Sequence, residues 1–528
     1  MQDHILEGQC KKAAEINKEN LFRLMNDNKD TVFGKLHRFS EIDTIDRYKM
    51  NVPLTDYSYY RKYVTEMRSG KDNVLTSYHV EGYCKTSGTE GNAKYIPVTG
   101  EALSRYSDQS ERYPMHILKQ AGKGKRLYIN IFRTEPGSRD SRPLLFSELY
   151  NAWLCEQGLL DTSTQAGGKE LLFNSAGQDS LYAKVCIAFL TEDLVTIEAP
   201  FMYDILHFFV YMERNWKSIL DDLRKHIIPK QIELSDSIRE IILSYPADTK
   251  RLNDIENECA KGFDNIALRL WKDLSLINGI SSRAYTAEDN ALTRYTGSVR
   301  KQHLCYCSSE CYIGNPVADD DFGYVLMPNS AFFEFLVYGS ESEETFLPNE
   351  LEAGKLYEPV ITNFSGLYRY CLGDIVKVTG YMHESPVFEF MFRKNQAINI
   401  AGEKMYTYQL EEAVEILRAD IDVLSFCFGA STLSIPGYYF LIAVTDGNVD
   451  KRSYARLLDS ALSNVNEDYL DLRRLRNLAR PRFFSVSDER YNEIMNSFFP
   501  SDRHNKPIHV LKQEIVEAIL KEVRSYET

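Results

Sequence analysis

LYRYCLGDIVKVTGY, residues 367–381, joins a Gly-Asp turn to a run with the residue types of a strand. Gly373 frees the backbone to turn, and Asp374 opens the strand IVKVTG directly behind it. An acidic side chain in that place can accept hydrogen bonds from a pair of neighbouring hydroxyls, as the acidic residue on the ribose does in dinucleotide folds. Arg369 offers a planar fork for a phosphate or a carboxylate. The plain alternative is a Gly-Asp hairpin turn with a surface ion pair, an abundant arrangement. The residues by themselves leave both readings open.

Working outward, the sequence is strand-rich from about residue 296, with YVLMPNSAFFEFLVYG at 324–339 ahead of the 360–382 region. Upstream, residues 8–70 read as helical and charged, and a long helical stretch covers 200–275. RLYINIF at 126–132 and AKVCIAFL at 183–190 are short apolar runs of strand or buried type. Downstream, the chain turns polar at 393–404 (RKNQAINIAGEK). A helix (408–419), a strand pair around Pro436–Gly437, a helix (453–465), a strand (480–487) and a closing helix (511–525) follow. The expected class is α/β: a large N-terminal body of sheets with packed helices and a strand-rich subdomain, 1–395, then a small α+β C-terminal domain, 396–528.

Composition narrows the function classes. The 528 residues are 44% hydrophobic and 26% charged, the mixture of a folded, multidomain chain. A net charge of −14 disfavours nucleic acid as a general partner. The ten cysteines are scattered from Cys10 to Cys427 rather than framed for disulfides, and no signal peptide or membrane-length apolar run is visible. A cytoplasmic protein without membrane or nucleic-acid partners is expected.

Two further segments carry chemistry. TSGTEGNAK, residues 86–94, alternates hydroxyls and glycines ahead of a lysine. Backbone N–H groups freed by Gly88 and Gly91, the hydroxyls of Thr86, Ser87 and Thr89, and the Lys94 ammonium suit an anion. It is not a Walker A loop, since Ala93 stands where that motif needs glycine; an ordinary Ser/Thr/Gly turn is the alternative. In YCSSE, residues 306–310, Glu310 behind Ser308 and Ser309 suits a magnesium ion or a nucleotide hydroxyl, or else forms a simple cap. His303, Cys305, Cys307 and Cys311 invite a zinc reading, but one-residue gaps and no second ligand pair favour buried thiols.

The three motifs in this order resemble the adenylate-forming superfamily of acyl-CoA synthetases and luciferases. TSGTEGNAKYIPVT, YCSSECYIG, the FFEFL of 332–336 and LYRYCLGDIVKVTGY are similar, more narrowly, to the plant auxin-responsive Gretchen Hagen family of acyl-acid amido synthetases and its bacterial relatives. The resemblance runs from about residue 80 to the C-terminus. It implies an ATP- and Mg²⁺-dependent ligase that adenylates a carboxylic acid and transfers the acyl group to an amine such as an amino acid. It also implies that the C-terminal domain is mobile on a hinge. By motif match, Thr86, Ser87, Thr89 and Lys94 would cradle ATP phosphates, Tyr306 would pack on adenine, Glu310 would meet the nucleotide or its Mg²⁺, and Asp374 would hold the ribose. Arg393 resembles the basic hinge residue, and Lys506 sits where relatives carry a lysine that reaches the α-phosphate. Glu90 departs from the usual Ser or Thr, and the approach to Lys506 (NSFFPSDRHNKP) lacks the usual Gly and Gln. The acyl pocket would lie within 105–215, where Phe132, His116 and His207 read as ordinary packing residues. An acyl-CoA ligase, or a nucleotide-binding interaction module without catalysis, are the competing readings.

Overall fold

The chain is described by a computed structural model for residues 3–524, apart from 87–93, 111–121, 130–145, 160–161, 174–178, 247, 281–285, 318–322, 341, 395–397, 399, 402, 404, 434–435, 446–449, 475–476, 500–507 and 512. It divides into two compact units, Met1–Ser281 with Leu292–Phe390, and Ser282–Ala291 with Met391–Thr528. The mixed α/β class expected from the sequence is the one observed.

The first unit holds three sheets. β1 (Val80–Thr86) and β2 (Lys94–Thr99) form an antiparallel hairpin in which Thr86 lies opposite Lys94. β3 (Lys125–Tyr128), β4 (Leu194–Phe201), β5 (Leu276–Ile280) and β6 (Arg300–His303) form a wholly parallel sheet in that order. Leu127, Ile197 and Ile277 point from one face of it into a core filled by the helices Ser180–Leu190, Met202–Lys225 and Thr249–Ala260. The run at 183–190, open in the sequence between a strand and a buried segment, is buried helix. Nine of its eleven residues are buried, so it is apolar all round and shows no helical period by which to tell it from a buried strand.

The third sheet comprises β7 (Tyr306–Cys307), β8 (Tyr312–Pro316), β9 (Gly323–Leu326), β10 (Ala331–Val337), β11 (Thr345–Phe346), β12 (Leu356–Asn363), β13 (Tyr370–Cys371), β14 (Asp374–Met382) and β15 (Ser385–Arg393). The order is β11-β10-β12-β14-β15-β9-β8-β7, with β13 beside β12. The helix Ala13–Asn28 docks on β10 through Asn17, whose amide both donates to the Phe333 carbonyl and accepts from its N–H. The helix Tyr57–Arg68 is capped by Asp56 and buries Tyr57, Tyr60, Tyr63, Val64 and Met67, a helical stripe facing the same core.

In the second unit, β16 (Val423–Ser431) and β17 (Tyr438–Thr445) are antiparallel, and β18 (Arg482–Val486) pairs parallel to β17. Tyr439, Leu441 and Ala443 enter one core with the helices Thr407–Arg418 and Lys451–Val465. Tyr438, Phe440, Ile442 and Val444 enter another with Asp488–Phe498 and Gln513–Arg524. Both faces of this central strand are covered, which is why the run YYFLIAVT is apolar throughout. Among the described residues, no helix is long and apolar enough to cross a membrane.

Two buried charges put testable strain on the first unit. Lys184 lies in the helical core with its Nζ on the Leu171 carbonyl at 2.9 Å, and burial pulls its ammonium down to about 7 from the ordinary 10.5. The unfolded chain therefore takes up this proton at higher pH than the fold does, so stability falls from pH 10.5 to about 7 and levels below it. Lys184→Met should raise stability at pH 7 by several kcal/mol, up to about 4, and the gain should shrink toward zero near pH 10. A pH-independent gain in paired denaturation curves would contradict this account.

Arg369 and Glu334 form the second case. Both are buried, and the guanidinium grips the carboxylate through Nε and Nη2, each at 3.1 Å. Arg369→Met alone should cost about 3–5 kcal/mol by stranding Glu334, and adding Glu334→Leu should recover most of that loss. Urea titrations of the two variants decide it; a single-variant cost below about 1 kcal/mol would mean the pair is not held dry.

Candidate functional site

The turn between β12 and β14 is built from backbone shapes that few residues adopt. Gly366 and Gly373 have φ of 94° and 76°, and a Cβ on Gly366 would lie 2.7 Å from that of Leu75. Gly373 donates its N–H to Glu358 Oε1 at 3.1 Å, which fixes the residue before Asp374. Asp374 then opens β14, buried, and accepts a hydrogen bond from the Tyr306 hydroxyl at 2.9 Å. The Tyr306 ring is set among Tyr324, Phe388 and Phe390, with centroids 5.8–5.9 Å away.

Glu310 sits in the turn from β7 to β8. Ser308 Oγ accepts from the N–H groups of Glu310 and Cys311, so this serine shapes a tight turn rather than capping a helix. Asn363 Nδ2 donates to the Glu310 carbonyl at 2.8 Å, and the Tyr370 hydroxyl lies 3.4 Å from Oε1 of its half-buried carboxylate. Ser309 beside it is also half-buried. Burial, and after it the charges of Glu310, Cys307 and Asp374, push the Cys311 thiol well up. Cys305 Sγ lies 3.5 Å from Cys307 Sγ, and that contact, then burial, keeps the Cys305 thiol protonated.

Thr55 links this turn to the β1–β2 hairpin. Its N–H donates to the Arg369 carbonyl and its carbonyl accepts from the Cys371 N–H, at 2.9 and 2.8 Å. Two residues on, the Tyr57 hydroxyl bonds both the N–H and the carbonyl of Tyr95, at 2.7 and 3.1 Å. Lys94 Nζ stands 5.9 Å from the centroid of the Tyr57 ring. Ser58's hydroxyl, with Lys94 as a lesser influence, holds the Asp56 carboxyl below its usual range. Residues 55–57 thus bond both the turn ahead of Asp374 and the hairpin strand that begins with Lys94, while Tyr306 bonds Asp374 and Tyr370 lies beside Glu310.

Other sequence expectations fare differently. Arg369, named as a cofactor-binding residue, is turned inward. Its five donor contacts go to Glu334 twice, to the carbonyls of Lys49 and Val52, and to the Thr345 hydroxyl. That correction has a plain cause: the carboxylate its fork meets belongs to the fold, and no N–H remains for a phosphate. Thr86 ends β1 opposite Lys94, whereas Ser87, Gly88, Thr89, Glu90 and Gly91 lie outside the described residues, as does Lys506. Arg393 is the exposed last residue of β15. Sequence reasoning missed Thr55, Tyr57, Glu358 and Asn363. Only the Asp-Tyr-Ser helix start at 56–58 signalled that segment, and it signals a cap rather than a site.

Chemically, a buried carboxylate beside a tyrosine suits a diol, and a half-exposed carboxylate suits a cation or a polar ligand group. Lys94 and the 87–93 connection add one cation and a run of hydroxyl and glycine residues.

Residues 2–301 match the GH3 family N-terminal domain, and residues 324–393 match the GH3 family central domain. Indole-3-acetic acid-amido synthetase GH3.3 of Arabidopsis thaliana is 27% identical over 454 residues, covering 81% of this chain and 76% of that one. GH3.17 of the same plant, also an indole-3-acetic acid-amido synthetase, is 26% identical over 526 residues, covering 90% and 86%. Among solved structures, the GH3.15 acyl acid amido synthetase superposes with a TM-score of 0.86 at 23% identity, covering 99% of this chain and 95% of that one. A 2-hydroxyisobutyryl-CoA ligase shares the fold more distantly, at a TM-score of 0.55 and 10% identity over 98% and 91% of the two chains. The motif resemblance and these matches converge: the chain belongs to the GH3 family of acyl-acid amido synthetases.

Proposed function

We propose that this chain adenylates a carboxylic acid with ATP and passes the acyl group to an amine, the α-amino group of an amino acid. The observation that carries the reading is Asp374, buried at the head of β14 and hydrogen-bonded by Tyr306, behind a turn that Thr55 bonds two residues ahead of Tyr57, which bonds the hairpin strand begun by Lys94. The named activities of the plant relatives, conjugating indole-3-acetic acid as an amide, support the same reaction class.

A carboxylate is a poor acyl donor because its leaving group would be oxide. In the first half-reaction its oxygen attacks the α-phosphorus of ATP and the bond to pyrophosphate breaks. In the second, the amine nitrogen attacks the acyl carbon, AMP leaves, and the nitrogen loses a proton. Negative charge gathers on phosphoryl oxygens in the first transition state, so the residues act chiefly as preorganised electrostatics. In this reading Asp374 takes the ribose hydroxyls, Tyr306 lies against the adenine, and Thr86, Ser87, Gly88, Thr89, Gly91 and Lys94 hold the phosphates. Lys506 serves the α-phosphate during adenylation. Residues 1–395 carry the ATP and acyl-acid sites, and 396–528 form the small domain that bears Lys506.

Glu310 is the residue that fits Mg²⁺. One half-exposed carboxylate is the usual protein share of a magnesium site whose other ligands are phosphate oxygens and water. When bound, the ion would offset charge on those phosphates. The tight turn at Ser308 and the Asn363 bond to the Glu310 carbonyl hold this side chain's backbone in place.

Acid-dependent exchange of labelled pyrophosphate into ATP tests the proposal directly. The wild-type chain should exchange only when an acid is present, and Asp374→Asn should slow exchange by about 10²–10³. Amino acids should then release AMP with formation of an amide, whereas release with coenzyme A instead would turn the assignment to an acyl-CoA ligase. Undiminished exchange by Asp374→Asn would remove the central support.

A further inference from the structure

Two cysteines that the sequence singled out take no part in the reaction described above. Cys305 and Cys307 flank Tyr306, and their Sγ atoms lie 3.5 Å apart, so both thiols stand on one side of the chain. Cys305 is buried in an apolar cluster with Tyr312, Val325 and Met327, on which Tyr106 and Cys307 also pack. Cys307 is half-buried and so is open to a small solute. All ten cysteines are thiols.

Sulfurs this close need little travel to become a disulfide. The S–S bond measures about 2.05 Å, so closure moves them toward each other by about 1.5 Å. Two positions along an extended chain are about 6.6 Å apart, near the upper end of the Cα separations that disulfides span, about 4.4–6.8 Å. Closure therefore draws the two Cα atoms together, and the single residue between them takes up the bend. That residue is Tyr306. The ladder can yield there: Tyr306 lies opposite Gly314 but Cys307 lies opposite Tyr312, a slip of one residue within β7. The Tyr306 hydroxyl, at the far end of its side chain, reaches Asp374 at 2.9 Å, and such a bond weakens steeply once its angle is lost.

We infer that Cys305 and Cys307 are a reversible oxidation site, that hydrogen peroxide joins them as a disulfide, and that this bond draws Tyr306 off Asp374. Cys307 reacts first because it is the more exposed, while its contact, and then burial, hold the proton on Cys305. The Cys307 sulfur attacks a peroxide oxygen, the O–O bond breaks, and water leaves behind a sulfenic acid. Cys305 Sγ then attacks that sulfur, and its proton departs with the hydroxyl as a second water. The two thiols give up two electrons and two protons, and one hydrogen peroxide becomes two waters. A disulfide carries no charge and no donor, so the apolar cluster accepts it, whereas a sulfinate at Cys305 would be a buried charge. Exchange with a dithiol reverses the bond. In the adenylating reading the consequence is a loss of nucleotide handling; the disulfide and the displacement of Tyr306 do not depend on that reading.

The test treats the full chain with hydrogen peroxide, alkylates the remaining thiols under denaturing conditions and maps them by mass. The wild type should lose two alkylation sites, both on the peptide that contains 305–307, which becomes lighter by two hydrogens, and dithiothreitol should restore them. Cys307→Ser and Cys305→Ala should each prevent the bond. Amide hydrogen exchange then reads Tyr306 without any substrate: residues 304–314 and 373–376 should exchange about tenfold faster in the oxidised wild type, and at an unchanged rate in peroxide-treated Cys307→Ser. Pyrophosphate exchange by the oxidised wild type should fall about tenfold or more and recover with dithiothreitol, while Cys307→Ser keeps its rate in peroxide. Peroxide that leaves both residues as thiols, carries them to sulfinic acid or pairs either with another cysteine overturns the site. A mapped disulfide with unchanged amide exchange overturns the inference, and so does an oxidised chain as active as the reduced one. If the reduced chain shows no pyrophosphate exchange with any acid, adenylation is what fails, and the thiol map and amide exchange still decide this inference.

Discussion

A buried arginine in a left-handed backbone conformation holds the turn on which the site depends. Arg369 has a φ of 47°, which a side chain with a Cβ adopts only at a cost. The cost is offset because the guanidinium is bonded to Glu334, to Thr345 and to the carbonyls of Lys49 and Val52. Glycine would ease the backbone but would leave Glu334 buried without its cation. The turn therefore uses glycine at 366 and 373, where space or conformation demands it, and arginine between them, where charge demands it. Once Arg369 is seated, its carbonyl and the Cys371 N–H are presented to Thr55, and Tyr60 receives the N–H of Tyr368 and donates to its carbonyl. Residues 55–60 thereby set the position of the hairpin strand that begins with Lys94.

What the sequence made readable follows from how local each signal is. Asp374 could be singled out because a glycine turn and the following strand lie within a few residues of it. The apolar run at β17 and the helices on either side could be placed for the same reason. Arg369 was visible as a cation, but its partner is 35 residues away and reaches it only through strand pairing, so its fork was assigned to a ligand instead of to the fold. Thr55 and Tyr57 were invisible as site residues for a stronger form of that reason. Thr55 meets its partners more than 300 positions along the chain. The helix Ser180–Leu190 stayed open between strand and buried segment for a different reason, since burial on nearly every side erases the periodicity that distinguishes it from a strand.

The same contrast appears in the parallel sheet. Alternation along β3–β6 tells which residues share a face, but not that one face is apolar for packing while the other carries polar groups without mates. Leu127, Ile197 and Ile277 are explained by the helices that cover them. Thr196, Asn278 and Gln302 are not explained by any bond within the described fold. Sequence alone presents all six as ordinary strand residues; burial and register separate them.

The turn that carries Asp374 and the parallel sheet then rest on different kinds of structure. The turn that carries Asp374 is fixed by backbone conformation, two glycines and a buried ion pair, so almost any change there disturbs several elements together. The polar face of the parallel sheet depends on side chains alone. Its strands are held by their own ladders and by the helices on the other face. That difference is physical: a turn in left-handed backbone holds only while many bonds act on it together, whereas a strand keeps its place through its ladder whichever side chains it carries.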